Sequence, residues 1–456
     1  MNTDFKSLYF VGAGGIGMSA LIRYYLSKGY PVGGYDRTPS DLTEQLCKEG
    51  AMIHYTDDVE SIPVCFRDPA TTLVVRTPAV PETHSELSFF ASNGFRIVKR
   101  AELLGLITRA SKGVCIAGTH GKTTTSSMTA HLLKQSHVDC NAFLGGILKN
   151  YGSNLLLSDK SDLTVIEADE YDRSFHQLLP YMAVITSSDP DHLDIYGNEE
   201  NYLESFSHFT SLIRPGGALV MRKGIKAQPR LQEGVRLFTY SGEEGGDFHA
   251  ENVRIGNGTI FFDFVHPEGQ VTDIELGVPV KINIENGVAA LAMGWLNGVT
   301  PDEMRNAMKS FGGAKRRFDF QIKRDDCVLI DDYAHHPDEI KASISSVKAL
   351  YPHRKVSVVF QPHLYSRTRD FAPEFAEALS LADEVILLDI YPARELPIPG
   401  ITSQIIFERL NAKEKELCNK DFLLELIKDR KFDVLILLGA GDIDRLVLPV
   451  KEILSK

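Results

Sequence analysis

The run "GVCIAGTHGKTTTSS", residues 113–127, constrains the fold more than any other stretch. It reads as a short apolar strand, a glycine turn and the opening of a helix that continues through "MTAHLLKQS". A strand that feeds a helix in this way belongs to a crossover unit, and crossovers build parallel sheets. Two further segments start alike. In "SLYFVGAGGIGMSALIRYYLSKGYPVGGYD" the pattern predicts a strand at 7–11, an amphipathic helix near 17–28 and a second strand near 31–35. "CVLIDDYAHHPDEIKASISSVKALYP" opens the third, followed by the apolar runs "KVSVVF", "EVILLDIY" and "DVLILLGAGD". Near-continuous apolar strands alternating with helices predict an α/β fold whose sheets are covered on both faces. Between "GGALVMRKG" and "ELGVPVKINIE" the texture changes. "RLFTYS", "FHAENVRIGNGTIFFDFV" and "GQVTDIELGV" predict short antiparallel strands with Asn-Gly turns, a small β insertion in the middle of the chain. At ~100–200 residues per domain, 456 residues allow two to four domains. The changes of texture put boundaries near 107 and 311, hence segments 1–107, 108–311 and 312–456.

Composition narrows the function. A net charge of −12 argues against nucleic acid as partner. The six cysteines form no C-x-x-C pair, which fits reduced thiols and neither a disulfide framework nor a zinc site. No stretch reaches ~18 apolar residues and the opening "MNTDFKSLYFVGAGG" lacks a leader pattern, so the expected location is the cytoplasm, without membrane insertion. Oligomeric state is not legible.

"GTHGKTTT" has the context of a phosphate-binding loop, although Ile116 stands where the usual G-x-x-x-x-G-K-[ST] pattern has its first glycine. Backbone N–H groups of the turn and the helix start would face an anion, Lys122 would add a mobile positive charge, and Thr123 a hydroxyl for magnesium. The plain reading is a glycine turn with a surface lysine. Some forty residues on, "DLTVIEADEYD" ends a strand in Glu167, Asp169 and Glu170, where a Mg-ATP site needs a carboxylate. "AVITSSDPDHLDIYG" ends another near Asp189, Asp191, His192 and Asp194, a candidate metal position. The first loop, "VGAGGIGMS", sets Gly12, Gly14 and Gly17 in G-x-G-x-x-G spacing, with Asp36 closing the next strand. That pattern holds a diphosphate, whether of NAD or of a nucleotide-linked substrate.

With these motifs the chain resembles the Mur ligases, ATP-dependent amide-forming enzymes of peptidoglycan precursor synthesis, whose phosphate loop also lacks the first glycine. "GAGGIGMSAL", "EADEYDRSF", "DHLDIYG", "FGGAKRRFDF", "DDYAHHPDEI", "QPHLYSRTRDF" and "DIYPARELPIPG" occur in the family's order over essentially the whole chain. The last four resemble the members that add L-alanine to UDP-N-acetylmuramate; the nearest alternative is the recycling type that adds a preformed tripeptide. The resemblance implies three domains: an N-terminal Rossmann-like one for the UDP-sugar, a central P-loop ATPase with the β insertion, and a C-terminal Rossmann-like one that closes over the site. It implies that Gly12, Gly14, Gly15 and Gly17 hold the UDP diphosphate, with Asp36 and Arg37 near the uridine. ATP would lie on Gly118, Thr119, His120, Gly121, Lys122, Thr123 and Thr124, with Asn283 and Asn286 on the adenine side and Asp332 near the ribose. Thr123 and Glu167 would bind one Mg2+ and His192 a second. Arg317 would reach the γ-phosphate, and Tyr333, His335, His336 and Arg367 would shape the amino-acid side, with His335 as base. Lys122, His192, Arg317 and His335 are thus the expected catalytic set.

Four positions depart from the family's pattern. Ile282 replaces a histidine before Asn283, and Ser187 stands where asparagine is common. Leu364 occupies the place of an arginine, which leaves Arg367 or Arg394 for the carboxylate of the amino acid. The lysine that several Mur ligases carbamylate falls near Phe206, and no lysine occurs between Lys160 and Lys223.

Overall fold

The computed structural model describes residues 5–77, 79–191, 193–256, 258–393 and 395–455, without the side chains of 193 and 194. It resolves into two units. The first comprises Met1–His249, Phe264–Gln270 and Asn286–Ala307; the second comprises Ala250–Asp263, Val271–Glu285 and Met308–Lys456.

The first unit holds a five-stranded sheet ordered Met52–His54, Val32–Tyr35, Ser7–Val11, Thr72–Arg76, Arg96–Lys99. Every pair in it is parallel. The central strand Ser7–Val11 is buried throughout. Its side chains alternate between two cores: Leu8 and Phe10 join one cluster, Tyr9 and Val11 the other. That period of two is what a strand covered on both faces requires. The helix Ile16–Ser27 and the strand Val32–Tyr35 follow where the sequence predicts them.

One carboxylate is buried beneath this sheet. Glu86 is fully buried and accepts a 2.8 Å hydrogen bond from the Tyr9 hydroxyl, which also lies 2.6 Å from His54 Nε2. Burial pushes the Glu86 carboxyl up from the ordinary 4.5 to about 7. Between those values the folded state keeps a proton that the unfolded chain has lost, so the contribution of Glu86 to stability falls as pH rises from 4.5 through 7. Glu86→Gln is expected to melt higher than the wild type above pH 7, by up to ~3 kcal/mol, and no higher near pH 5. Thermal melts of both proteins across that range check the sign.

The unit's larger sheet runs Ser153–Leu156, Asn141–Leu148, Leu163–Glu167, Lys112–Ala117, Met182–Ile185, Ala218–Arg222, Arg236–Ser241. Only Asn141–Leu148 and Ser153–Leu156 pair antiparallel within this run. Here one expectation is corrected. "RLFTYS" is parallel to its neighbour, pairing Leu219 with Leu237 and Val220 with Phe238. The connection over 223–235 is long enough to carry the chain back to the same end of the sheet, so the strand extends the parallel sheet. The next strand, Phe248–Gly256, also starts parallel, with Tyr240 beside Phe248. Thr259–His266 and Gly269–Glu275 follow it through two-residue connections. Asn257 of the expected Asn-Gly turn lies outside the described residues.

The second unit's sheet is ordered Asp319–Lys323, Val328–Asp332, Val434–Leu438, Val356–Phe360, Glu384–Leu388, Glu414–Cys418. Its first pair is antiparallel and the others are parallel. In both units candidate residues such as Gly12, Lys122, Glu167 and His335 sit at or just beyond the carboxyl ends of parallel strands, where open α/β sheets bind ligands. Among the described residues no helix is long and apolar enough to cross a membrane.

Candidate functional site

The loop after strand Lys112–Ala117 turns through two glycines. Gly118 has φ 140° and Gly121 φ 81°. A Cβ on Gly118 would sit 2.1 Å from Thr186 Oγ1, and one on Gly121 2.8 Å from Asn286 Oδ1. Both positions thus require glycine for conformation and for space. Gly121 then starts the helix Lys122–Gln135, so the N–H groups of Lys122, Thr123 and Thr124 form its open first turn. The neighbouring strand end holds the loop. Ser187 Oγ accepts from His120 N at 2.7 Å, and Thr119 Oγ1 donates to Asp189 O at 2.7 Å while lying 2.8 Å from the Tyr202 hydroxyl. Serine at 187 thus ties the loop through its hydroxyl. Asn286 accepts from Thr125 Oγ1 at 3.1 Å, against the same helix.

The acidic strand end meets this loop. Thr123 Oγ1 donates to Glu167 Oε1 at 3.0 Å, and Gly145 N donates to Glu167 Oε2 at 3.0 Å. Lys122 Nζ donates to Gly118 O at 2.7 Å, Thr119 O at 3.2 Å and Glu170 Oε1 at 2.9 Å. Burial pushes the Glu167 and Glu170 carboxyls up, and the Lys122 ammonium opposes it in both. Glu167 and Thr123 thus offer two hard oxygens 3.0 Å apart. Among the described residues no group of three or more His, Cys, Asp or Glu side chains could hold a metal by itself. A cation here would complete its shell with substrate oxygens and water, as magnesium does. His192 lies outside the described residues. Phe206 is fully buried, its ring 5.3 Å from Phe175 and 5.2 Å from Tyr202, so the register of the missing lysine falls in the core.

The first glycine loop belongs to the same unit. Gly12 has φ 91°, and a Cβ there would sit 2.3 Å from Thr77 Cγ2. Asp36 Oδ2 accepts from Gly14 N at 2.6 Å and Oδ1 from Thr38 N at 3.2 Å. Asp36 therefore braces the turn itself, while Arg37 is exposed beside it. Gly15 precedes the helix, and a Cβ there would meet nothing closer than Met18 Cγ at 3.6 Å. A cavity of about 190 Å³ runs from Ile16 and Gly17 to Gly145, Glu167 and Asp169. Arg100, which no sequence pattern singles out, lines it and reaches Asp169 at 3.3 Å.

The second unit gathers the remaining residues. Arg316 and Arg317 both lie over the Tyr333 ring, at 4.9 and 5.4 Å. Arg316 is committed to Gly439 O at 2.6 Å and to Asp444 at 3.5 Å, whereas Arg317, the other cation over the ring, is exposed. Asp332 ends its strand and accepts from Phe318 N at 3.3 Å, its carboxyl pushed up by burial. His335 Nδ1 lies 3.0 Å from Tyr333 O and 3.3 Å from Glu339 Oε2. Both are acceptors, so Nδ1 carries the proton and Nε2 keeps a lone pair. Burial lowers the His335 pKa, with help from Arg367 and Arg317 and against Glu339. The His363 ring stands 6.2 Å from His335, and Arg367 Nη1 lies 3.4 Å from His363 Nδ1. His336 occupies the N-cap of the helix Pro337–Leu350, its ring 5.2 Å from that of Phe371. Leu364 has φ 72° and donates its N–H to Tyr391 O at 2.9 Å, and the cation of that segment turned toward His363 is Arg367. Arg394 lies outside the described residues. Asn283 donates to Val278 O at 3.1 Å, and Ile282 beside it is about half exposed. Glu339 and His363 were missed from sequence. The spacing of a capping box, which binds Glu339 to the N–H groups of His335 and His336, could have found the first.

Comparison with known proteins covers most of the chain. Residues 7–112 match the Mur ligase family catalytic domain, 116–294 the Mur ligase middle domain and 316–441 the Mur ligase glutamate ligase domain. The chain is 66% identical over 450 residues to the UDP-N-acetylmuramate--L-alanine ligase of Parabacteroides distasonis, covering 99% of this chain and 97% of that one. It is 44% identical over 452 residues to the protein of the same name from Cytophaga hutchinsonii, covering 98% and 97%. Among solved structures, UDP-N-acetylmuramate-alanine ligase from Thermotoga maritima aligns with a TM-score of 0.81 at 27% identity, covering 98% of both chains.

Proposed function

The chain belongs to the Mur ligase family, and from that premise we propose that it joins L-alanine to the carboxylate of UDP-N-acetylmuramate with hydrolysis of ATP to ADP and phosphate. The observation that carries this reading is the near full-length likeness to the L-alanine ligase of Parabacteroides distasonis. The loop geometry supplies the chemistry. A carboxylate oxygen of the sugar acid attacks the γ-phosphorus, the bond to ADP breaks, and an acyl phosphate forms. Charge on the transferred phosphoryl group is met by Lys122 and the helix-start N–H groups. Mg2+ fits on Thr123 and Glu167, where it would neutralise phosphate oxygens. Arg317 is a further cation for the same group. The amine of L-alanine then attacks the acyl carbon, His335 Nε2 takes its proton, and phosphate leaves. Arg367 is assigned to the carboxylate of the amino acid and Tyr333 to its enclosure.

The remaining assignments belong to the same proposal. Gly12 to Gly17 hold the UDP diphosphate, Asn283, Asn286 and Asp332 serve the nucleoside of ATP, and His192 serves a second Mg2+. The boundaries near 107 and 311 delimit sugar-binding, ATP-binding and amino-acid-binding domains, and the reaction takes place in the cytoplasm.

Phosphate release with UDP-N-acetylmuramate and ATP tests the reading, scanning single amino acids and a tripeptide. L-alanine should support turnover; turnover with the tripeptide alone would overturn it.

Because burial holds His335 neutral below the ordinary histidine range, the acid limb of kcat should fall below ~6.5, and His335→Gln should flatten it. A limb above 7 that His335→Gln leaves in place would remove histidine from the step. Because Phe206 is buried and no lysine is near it in sequence, activity should not respond to carbon dioxide. Assays in degassed, mildly acidic buffer, with and without bicarbonate, should coincide.

A further inference from the structure

We infer that Arg100 grips the acid that this enzyme activates, holding the lactyl carboxylate of the sugar substrate in the cavity beside Glu167; this rests on the ligase reading above. The cavity measures about 190 Å³. That is room for several water-sized groups. That admits a small acid but not a sugar nucleotide, so one end of the substrate enters.

The walls select which end. Ala20, Leu104, Phe143 and Leu144 are apolar, Glu167 and Asp169 are acidic, and Arg100 is the one cation among the lining residues. A carboxylate placed here faces two like charges, and of the lining side chains only Arg100 can offset them. A short acid with an apolar flank suits such walls better than a hydroxyl-rich ring. The diphosphate is assigned to the loop from Gly12 to Gly17, and the cavity begins at the end of that loop and follows the flank of the helix through Ile16, Gly17 and Ala20.

The guanidinium is also aimed. A Cβ on Gly17 would sit 2.5 Å from Arg100 Nη1, so the guanidinium lies against bare backbone, and a side chain there would push it aside. Its Nη2 donates to Asp169 at 3.3 Å, a single long bond. The rest of the fork has no protein acceptor among the described residues, and a fork is suited to a carboxylate. Glu167 in the same wall sets the bound acid beside the oxygens of the phosphoryl-transfer end.

The test compares wild type, Arg100→Ala and Arg100→Lys. Phosphate release by the wild type with UDP-N-acetylmuramate and L-alanine comes first, so that failure of the ligase reading shows there and not in the variants. The variants are then titrated with UDP-N-acetylmuramate as substrate and with UDP-N-acetylglucosamine, which lacks the lactyl acid, as competing inhibitor. Arg100→Ala should raise KM for UDP-N-acetylmuramate by roughly 10- to 100-fold, the loss of a charge-assisted hydrogen-bond pair. Arg100→Lys should restore part of it. The inhibition constant of UDP-N-acetylglucosamine should be the same in all three, which also shows that the variants fold. Equal weakening of both ligands would move Arg100 to the diphosphate or to the fold and overturn the inference, as would an unchanged KM.

Discussion

Lys122→Ala is expected to lower turnover by on the order of 10³-fold while leaving a single cooperative melting transition. Lys122 stands at the first position of its helix, its ammonium donating to Gly118 O, Thr119 O and Glu170. It contributes no side chain to the apolar clusters. What it supplies is a positive charge beside the helix-start N–H groups, where the transferred phosphoryl group gathers negative charge. Its removal leaves Glu170, 2% exposed, without its counter-charge. Burial already favours the protonated form of Glu170, so the fold can neutralise the group in place of unfolding. Phosphate release and a thermal melt on the same preparation check both halves. Near wild-type release would remove Lys122 from phosphate binding, and a lost transition would make it a structural residue.

How much of this was legible in advance depends on the range of the information. Strand Ser7–Val11 and its helix follow from local apolar periodicity, and they appear where the residues put them. The direction of Arg236–Ser241 did not follow, because it depends on how the connection over 223–235 returns the chain, and strand texture does not encode that. The same divide runs through the site. Gly118, Gly121, Lys122 and Thr123 are neighbours in sequence and carry a readable pattern. The hydrogen bond from Gly145 N to Glu167 joins positions 22 apart, and Arg100 meets Asp169 across 69. Neither Gly145 nor Arg100 belongs to a motif of its own.

Asp36 is a mixed case. Its place at the end of the second strand reads as a ribose ligand, yet both carboxylate oxygens accept backbone N–H groups of the adjoining turns. Pattern found the residue, and only geometry showed that it shapes the loop. Leu364 is similar: the loss of an arginine was legible, but not the left-handed φ of 72° that sets the course of the chain between His363 and Arg367.

Glu167→Gln should be the second severe variant, with kcat lower by on the order of 10²- to 10³-fold and a raised requirement for magnesium. Glutamine keeps the shape and a carbonyl oxygen that can accept from Gly145 N or from Thr123 Oγ1, the two donors that now hold the carboxylate. The loop and strand should therefore stay in register, and ATP should still meet Lys122 and the helix start. What disappears is the negative charge of the carboxylate, one of the two side chains assigned to the cation at this point. With so few protein ligands, magnesium relies on that charge more than it would in a closed cage of carboxylates. Titrating magnesium at saturating ATP separates the possibilities. Recovery of part of the lost rate at high magnesium, with a shifted midpoint, is the expected result for a metal ligand. A wild-type midpoint with a uniformly lower rate would instead make Glu167 a positioning residue for Thr123, and a wild-type rate at every concentration would take it out of the site altogether.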